Sequence, residues 1–355
     1  MYATTPSCEL ASKNEVFLMR VKLLIASLDT DYVEHLSEVI ARHYADFIDV
    51  SVCKTKEHLQ DLLTTRKFDA CLICSGLFDI KELQQTDLSL LLVSEDDAGT
   101  ELPEEIIKVQ KYQRISSIVA NILEHCAKYS KKCGDLSAEK ANITAVWSPI
   151  GGVGKTSVAL AYAARKITDG KQVLYLNLET FSSAPAYFAE ADKGISAVFN
   201  MLESDEGNVK MLVRSIRKQD SGSGVAYFCR PDNFDDMYAL STENISELVT
   251  SCAEVTDELV IDMSCICDRR ARQVFDLADK ILLVTAPTAT AQVKLAQFAS
   301  QHNVFKRIRN KSTLVLNKGA NPCDAPLTDE IISLPLVSSS DSSVVYKTLS
   351  DCCFA

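Results

Sequence analysis

Short apolar runs alternate with amphipathic stretches along almost the whole chain. Val21 to Ala26 is an apolar run of strand length. It is followed by 31–44, where Val33, Leu36, Val39 and Ile40 recur at helical spacing. The alternation repeats with a strand over 47–53 and a helix over 54–65 that turns Leu59, Leu62 and Leu63 inward. Further strands are predicted over 68–74, 88–94 and, more weakly, 106–109, before a closing helix over 115–125. Strand–helix alternation of this kind predicts a doubly wound parallel sheet.

Periodicity is lost over 128–141, a polar stretch with the composition of a linker. Residues 1–18 are polar and irregular, an extension ahead of a first domain at 19–127. A second alternating region fills 142–355. Its predicted strands are 143–147, 172–179, 224–229, 258–262, 280–285 and 313–316, with a last short run at 333–337. Its predicted helices are 157–168, 195–202, 208–218, 245–253 and 293–305. The fold class expected is therefore α/β, with two doubly wound parallel-sheet domains.

Composition narrows the function classes. The chain has 355 residues, 47% hydrophobic and 24% charged, which is ordinary for a globular protein. A net charge of −11 argues against broad affinity for nucleic acid or anionic lipid, so DNA is not an expected partner. The 13 cysteines are odd in number and follow no repeated spacing, which suggests free thiols in a reducing cytoplasm. Cys71 and Cys74 stand three apart on a strand, face opposite ways and cannot share a zinc. The five histidines are dispersed. No apolar run reaches the roughly 20 residues of a membrane span, and the terminal Cys352-Cys353-Phe354-Ala355 fits a lipidation pattern in form only.

The chemistry concentrates at Ser148-Pro149-Ile150-Gly151-Gly152-Val153-Gly154-Lys155-Thr156-Ser157, between a strand and a helix. That is the context of a phosphate-binding loop. Glycines at 151, 152 and 154 let backbone N–H groups approach an anion, and the helix N-terminus adds partial positive charge. Lys155 would reach the β- and γ-phosphates, and the Thr156 hydroxyl would ligate Mg²⁺. Pro149 occupies the position of the first glycine of the strict Walker A pattern. Asp262, closing an apolar strand, fits the second Mg²⁺ ligand, and Glu179 closes another strand on the same side.

This constellation resembles the MinD/ParA group of deviant Walker A ATPases. The likeness rests on Gly151 to Thr156, the strands ending at Asn177–Glu179 and at Asp262, Leu283-Val284-Thr285-Ala286-Pro287, and Val315-Leu316-Asn317-Lys318. It implies ATP and Mg²⁺ as ligands, adenine contact at Asn317, a water-orienting role for Glu179, and a nucleotide-dependent homodimer. The first domain resembles a response-regulator receiver. Ser27-Leu28-Asp29 stands at the acidic pair, Ser94 and Lys111 match the hydroxyl and lysine positions, and Leu72-Ile73-Cys74-Ser75 lacks the phosphoacceptor acid. That departure implies docking or dimerisation rather than phosphotransfer. Together the two domains resemble the TadZ/CpaE group of Tad-type pilus assembly, which implies a cytoplasmic localisation factor at the cell pole with pilus-assembly or secretion proteins as partners.

The departures also carry information. The group's signature lysine precedes the two glycines, and Ile150 stands there instead. A cation supplied in trans is worth about 10³–10⁵ in rate, so the sequence predicts ATP binding with weak or absent turnover. Glu179 is a methylene longer than the group's aspartate. Met263 to Cys267 lacks the group's prolines and glycine. The tail after 338 has one lysine and many serines, unlike a basic membrane helix, so direct membrane insertion is not expected. The basic run 306–311 reads as a solvated helix end. The rival readings are an active partitioning ATPase acting on DNA or cargo, and a P-loop amide ligase, for which no further catalytic residues are visible.

Overall fold

The computed structural model describes residues 20–45, 48–77, 88–94, 107–129, 141–189, 194–205, 207–320, 327–339 and 341–353. The extension at 1–18, nearly all of the linker and the last two residues of the chain lie outside them. The chain divides into two units, Met1–Ile122 and Leu123–Ala355.

The first unit is a five-stranded sheet in the order β2-β1-β3-β4-β5, every pair parallel. Its strands are β1 Val21–Ala26, β2 Ile48–Cys53, β3 Ala70–Cys74, β4 Ser89–Val93 and β5 Ile107–Gln110. This is the flavodoxin-like order, and it follows from right-handed crossovers on either side of β1. Helices Thr30–His43 and Lys56–Thr65 begin where Asp29 and Thr55 accept backbone N–H groups with their side chains. Cys71 is buried in the core with Leu24, Leu59 and Ile73, whereas Cys74 is partly exposed. The two thiols therefore serve as small apolar side chains rather than a metal pair. Asp29 and Lys111 form an ion pair at 2.5 Å, which holds the Asp29 carboxyl below its usual range. The Tyr32 hydroxyl donates to the Lys111 carbonyl.

The second unit is an eight-stranded sheet in the order β13-β12-β11-β6-β10-β7-β9-β8. The strands are β6 Asn142–Trp147, β7 Val173–Leu178, β8 Lys218–Gln219, β9 Ala226–Tyr227, β10 Glu258–Met263, β11 Lys280–Thr285, β12 Ser312–Leu316 and β13 Glu330–Ser333. All pairs are parallel except β8 with β9. β6, β10, β11 and β12 are almost wholly buried, as expected of strands covered by helices on both faces. Each fully buried Leu, Ile or Val there contributes roughly 1.5–3 kcal/mol. β6 runs between β10 and β11, so the chain leaves its carboxyl end at a topological switch point, where open α/β sheets bind ligands.

Several elements differ from the periodicity. The single helix expected over 293–305 is two, Ala289–Ala299 and His302–Ile308. Thr288 caps the first a turn early, and at its end the Ser300 hydroxyl donates to the Gln297 carbonyl. The helix expected to Lys218 stops at Ile216, because Lys218–Gln219 pairs with β9. β9 itself keeps two of the six residues expected. The last strand is Glu330–Ser333 rather than 333–337. The Thr313 hydroxyl bonds the Glu330 carboxylate and the Thr328 hydroxyl accepts from Leu314 N–H, which fixes the earlier register. Helix Arg269–Leu277, capped by Asp268, is so polar that only Ala271, Val274 and Phe275 mark its inner face. The serine-rich tail is also a helix, Ser342–Cys353. It lies against helix Lys155–Thr168 with Tyr346 and Leu349 buried. No described helix is long and apolar enough to cross a membrane.

Candidate nucleotide and metal site

The site is built where β6, β7, β10 and β12 end. Trp147 closes β6, wholly buried against Phe275 and Phe298. Its indole N–H donates to the Ile266 carbonyl at 3.2 Å and so ties the foot of the glycine loop to the segment after β10. The Ser148 hydroxyl accepts Ile150 N–H at 3.1 Å. This is a side-chain turn around Pro149. Ile150 and Val153 point into the core at 6% and 2% exposure. Ile150 therefore puts neither charge nor a free side chain at the mouth of the loop.

Gly154 caps helix Lys155–Thr168 with φ +89°, a conformation that L residues rarely adopt. A methyl group there would meet the Asn317 side-chain nitrogen at 2.5 Å. Asn317 is buried at the end of β12. Its Nδ2 donates to the Val153 carbonyl at 2.8 Å, and its Oδ1 accepts Lys318 N–H. Lys318, itself at φ +58°, returns its Nζ to the Gly152 carbonyl at 2.9 Å. Two neighbouring residues of one strand end thus fasten the loop from outside, and the second places a cation on it.

Inside the loop, Lys155 Nζ lies 3.7 Å from Glu179 Oε1, with the lysine nearly buried. The Thr156 hydroxyl accepts from Ser183 at 3.4 Å. Asp262 is fully buried. Its Oδ2 accepts from Tyr175 Oη at 2.8 Å and Asn177 Nδ2 at 3.3 Å, while Oδ1 has no hydrogen-bond partner among the described residues. Burial, reinforced by the Glu179 charge, pushes the Asp262 carboxyl up to about 7; Thr156, Tyr175 and Lys155 pull the other way. A buried carboxylate oxygen without a donor, beside a threonine hydroxyl and a second carboxylate, is a hard-oxygen set that suits Mg²⁺. The residues present therefore fit a divalent cation held by Thr156 and Asp262. Among the described residues no group of three or more His, Cys, Asp or Glu is placed to hold a metal by itself.

The structure thus brings Gly151, Gly152, Val153, Gly154, Lys155, Thr156, Glu179, Asp262 and Asn317 to one end of one sheet. Ser157 lies on the first helical turn, its hydroxyl 3.5 Å from Tyr187 Oη. The sequence reading passed over Tyr175, Lys318 and the Trp147–Ile266 tie. For Tyr175 a signal existed: in β7 Tyr175, Asn177 and then Glu179 alternate with Leu174, Leu176 and Leu178, so the polar side chains share one face. Two cations of the basic run 306–311 are engaged within the chain. Arg307 pairs with Asp276 at 2.8 Å, and Lys311 Nζ donates to the Ala278 carbonyl.

No protein-family model matches the chain, and no curated protein matches it. Solved structures do. A ParA family ATPase from Chlorobium tepidum TLS aligns with TM-score 0.50 at 16% identity, over 60% of this chain and 92% of its own. The septum site-determining protein MinD of Pyrococcus horikoshii OT3, complexed with Mg-ADP, aligns with TM-score 0.44 at 14% identity, over 59% and 95%. A putative plasmid partition protein of Borrelia burgdorferi B31, bound to AMPPNP, aligns with TM-score 0.42 at 12% identity, over 60% and 98%. The first of these shows the fold alone: the second unit has the α/β fold of that ParA family ATPase, and the chain carries it together with a unit of flavodoxin-like strand order.

Proposed function

We propose that the chain is an ATP- and Mg²⁺-binding localisation factor whose nucleotide state controls a homodimer, with weak or absent hydrolysis. The observation that carries this reading is the open Oδ1 of buried Asp262, set beside Thr156 and across from the Lys155–Glu179 pair. Lys155 would exchange Glu179 for phosphate oxygens, and the loop N–H groups would line the anion. Thr156 and Asp262 would hold Mg²⁺, which when bound neutralises phosphate charge. Glu179, released from Lys155, would accept a hydrogen bond from an attacking water. Asn317 would lie under the adenine.

Slow turnover follows from Ile150, whose buried side chain offers no cation to a facing protomer. The receiver-like unit supports docking. In it Lys111 is already paired with Asp29, and β3 ends without an acid. The resemblance to TadZ/CpaE proteins supports a role in placing a Tad-type pilus or secretion apparatus. An active partitioning ATPase is the second reading.

The test is ATP affinity, oligomeric state and turnover of the native chain, Lys155→Ala and Ile150→Lys, each with Mg·ATP and with ADP. Expected are tight ATP binding and dimers in the native chain with negligible turnover, loss of binding in Lys155→Ala, and a gain in hydrolysis in Ile150→Lys. Brisk hydrolysis by the native chain would favour the partitioning reading, and absence of ATP binding would refute both.

A further inference from the structure

Asp262 is held by two side chains from the neighbouring strand. Asn177 is its direct register partner across the β10–β7 pair, and Tyr175 lies two residues back on the same face. Asn177 Nδ2 donates to Tyr175 Oη at 3.0 Å. The single phenolic proton is therefore left for Asp262 Oδ2, to which it donates at 2.8 Å. Such a chain of donors runs one way, from amide to phenol to carboxylate, and each bond polarises the next. The phenol is fixed in advance. Tyr175 is 1% exposed and packs against Phe188, which stacks on Tyr227 at 4.3 Å. At its other end, Asn177 Oδ1 accepts Glu179 N–H at 3.0 Å.

A carboxylate with both oxygens open can rotate or chelate. Here Oδ2 is engaged by two donors, and turning the group would break both bonds. We infer that Tyr175 and Asn177 are positioning residues: they commit Asp262 to one open oxygen, Oδ1, as its metal contact, and tie that contact to the backbone of Glu179. The inference rests on the nucleotide–metal reading of the site given above. It adds that the metal's grip depends on a buried tyrosine that never touches it. Partners that orient a metal ligand typically change metal affinity about 10–100-fold when removed.

The experiment is a titration of Mn²⁺ into the full chain saturated with ADP, followed by the loss of the free-ion electron paramagnetic resonance signal. The chains compared are native, Tyr175→Phe, Asn177→Ala and Asp262→Asn. ADP affinity in EDTA and the thermal midpoint of the metal-free protein are measured alongside. Tyr175→Phe keeps the ring and its packing, so it is expected to leave both controls near native and to weaken Mn²⁺ binding about 10-fold or more. Asn177→Ala is expected to weaken Mn²⁺ binding as well and to broaden the bound-ion spectrum. Native Mn²⁺ affinity in Tyr175→Phe, with Asp262→Asn impaired, would overturn the inference and leave the metal site standing. Equal Mn²⁺ affinity in native and Asp262→Asn, or no ADP binding by the native chain, would instead sink the underlying site and this inference with it.

Discussion

Gly154→Ala probes the glycine loop most directly, because two separate costs can be worked out from the geometry. At φ +89° an alanine pays about 1–2 kcal/mol of backbone strain. Its Cβ would also stand 2.5 Å from Asn317 Nδ2. The amide must move, and the 2.8 Å bond to the Val153 carbonyl is lost in a buried place, at about 1–3 kcal/mol. The expected destabilisation of the second unit is therefore about 2–5 kcal/mol. Trp147 is the only tryptophan in the chain and is wholly buried at the base of the loop, so urea unfolding followed by its fluorescence reports on this unit. A double-mutant cycle separates the two costs. Asn317→Ala forfeits the same hydrogen bond but opens room for the methyl group. The double variant should then be more stable than the sum of the singles predicts, by about 1–3 kcal/mol. A Gly154→Ala protein within about 0.5 kcal/mol of native would refute the reasoning, as would strict additivity.

Three other outcomes follow from the same structure. Lys318→Ala removes the donor to the Gly152 carbonyl and the cation on the loop, and should weaken ATP binding by about 2- to 10-fold in calorimetry, a modest single hydrogen bond. Glu258 is nearly buried at the opposite end of the sheet, bonded to Thr144 and Tyr162, and burial raises its carboxyl above the usual range. A raised folded value means the native state binds the proton more tightly than the unfolded chain. The stability it confers is full below the ordinary carboxylate range and is lost as pH rises through the raised value. Native stability relative to Glu258→Gln, measured by urea unfolding, should accordingly fall as pH rises above the ordinary carboxylate range; an unchanging difference would contradict this. Leu349→Ala leaves a hole under the tail helix where it meets helix Lys155–Thr168, and should cost about 2–5 kcal/mol in the same unfolding assay.

Hydrophobic period alone determined most of the framework. β1, β6, β10, β11 and β12 are short apolar runs bounded by polar residues, and such runs have few alternatives to a covered parallel strand. The loop at 148–156 and the acids at 179 and 262 were also legible, because strand ends in an α/β sheet fall on one side whatever the details of packing. What the sequence could not decide were choices made by contacts distant along the chain. Thr313 and Thr328 draw β13 three residues earlier than its most apolar run. A serine-rich tail becomes a helix because helix Lys155–Thr168 offers it an apolar face. The same holds at the site. Composition shows a tyrosine in a hydrophobic strand, but only the register of β7 against β10 places its hydroxyl on Asp262 and leaves the other carboxylate oxygen open. Local pattern fixes which backbone state each segment prefers; the assignment of each polar atom to a partner is a property of the packed whole.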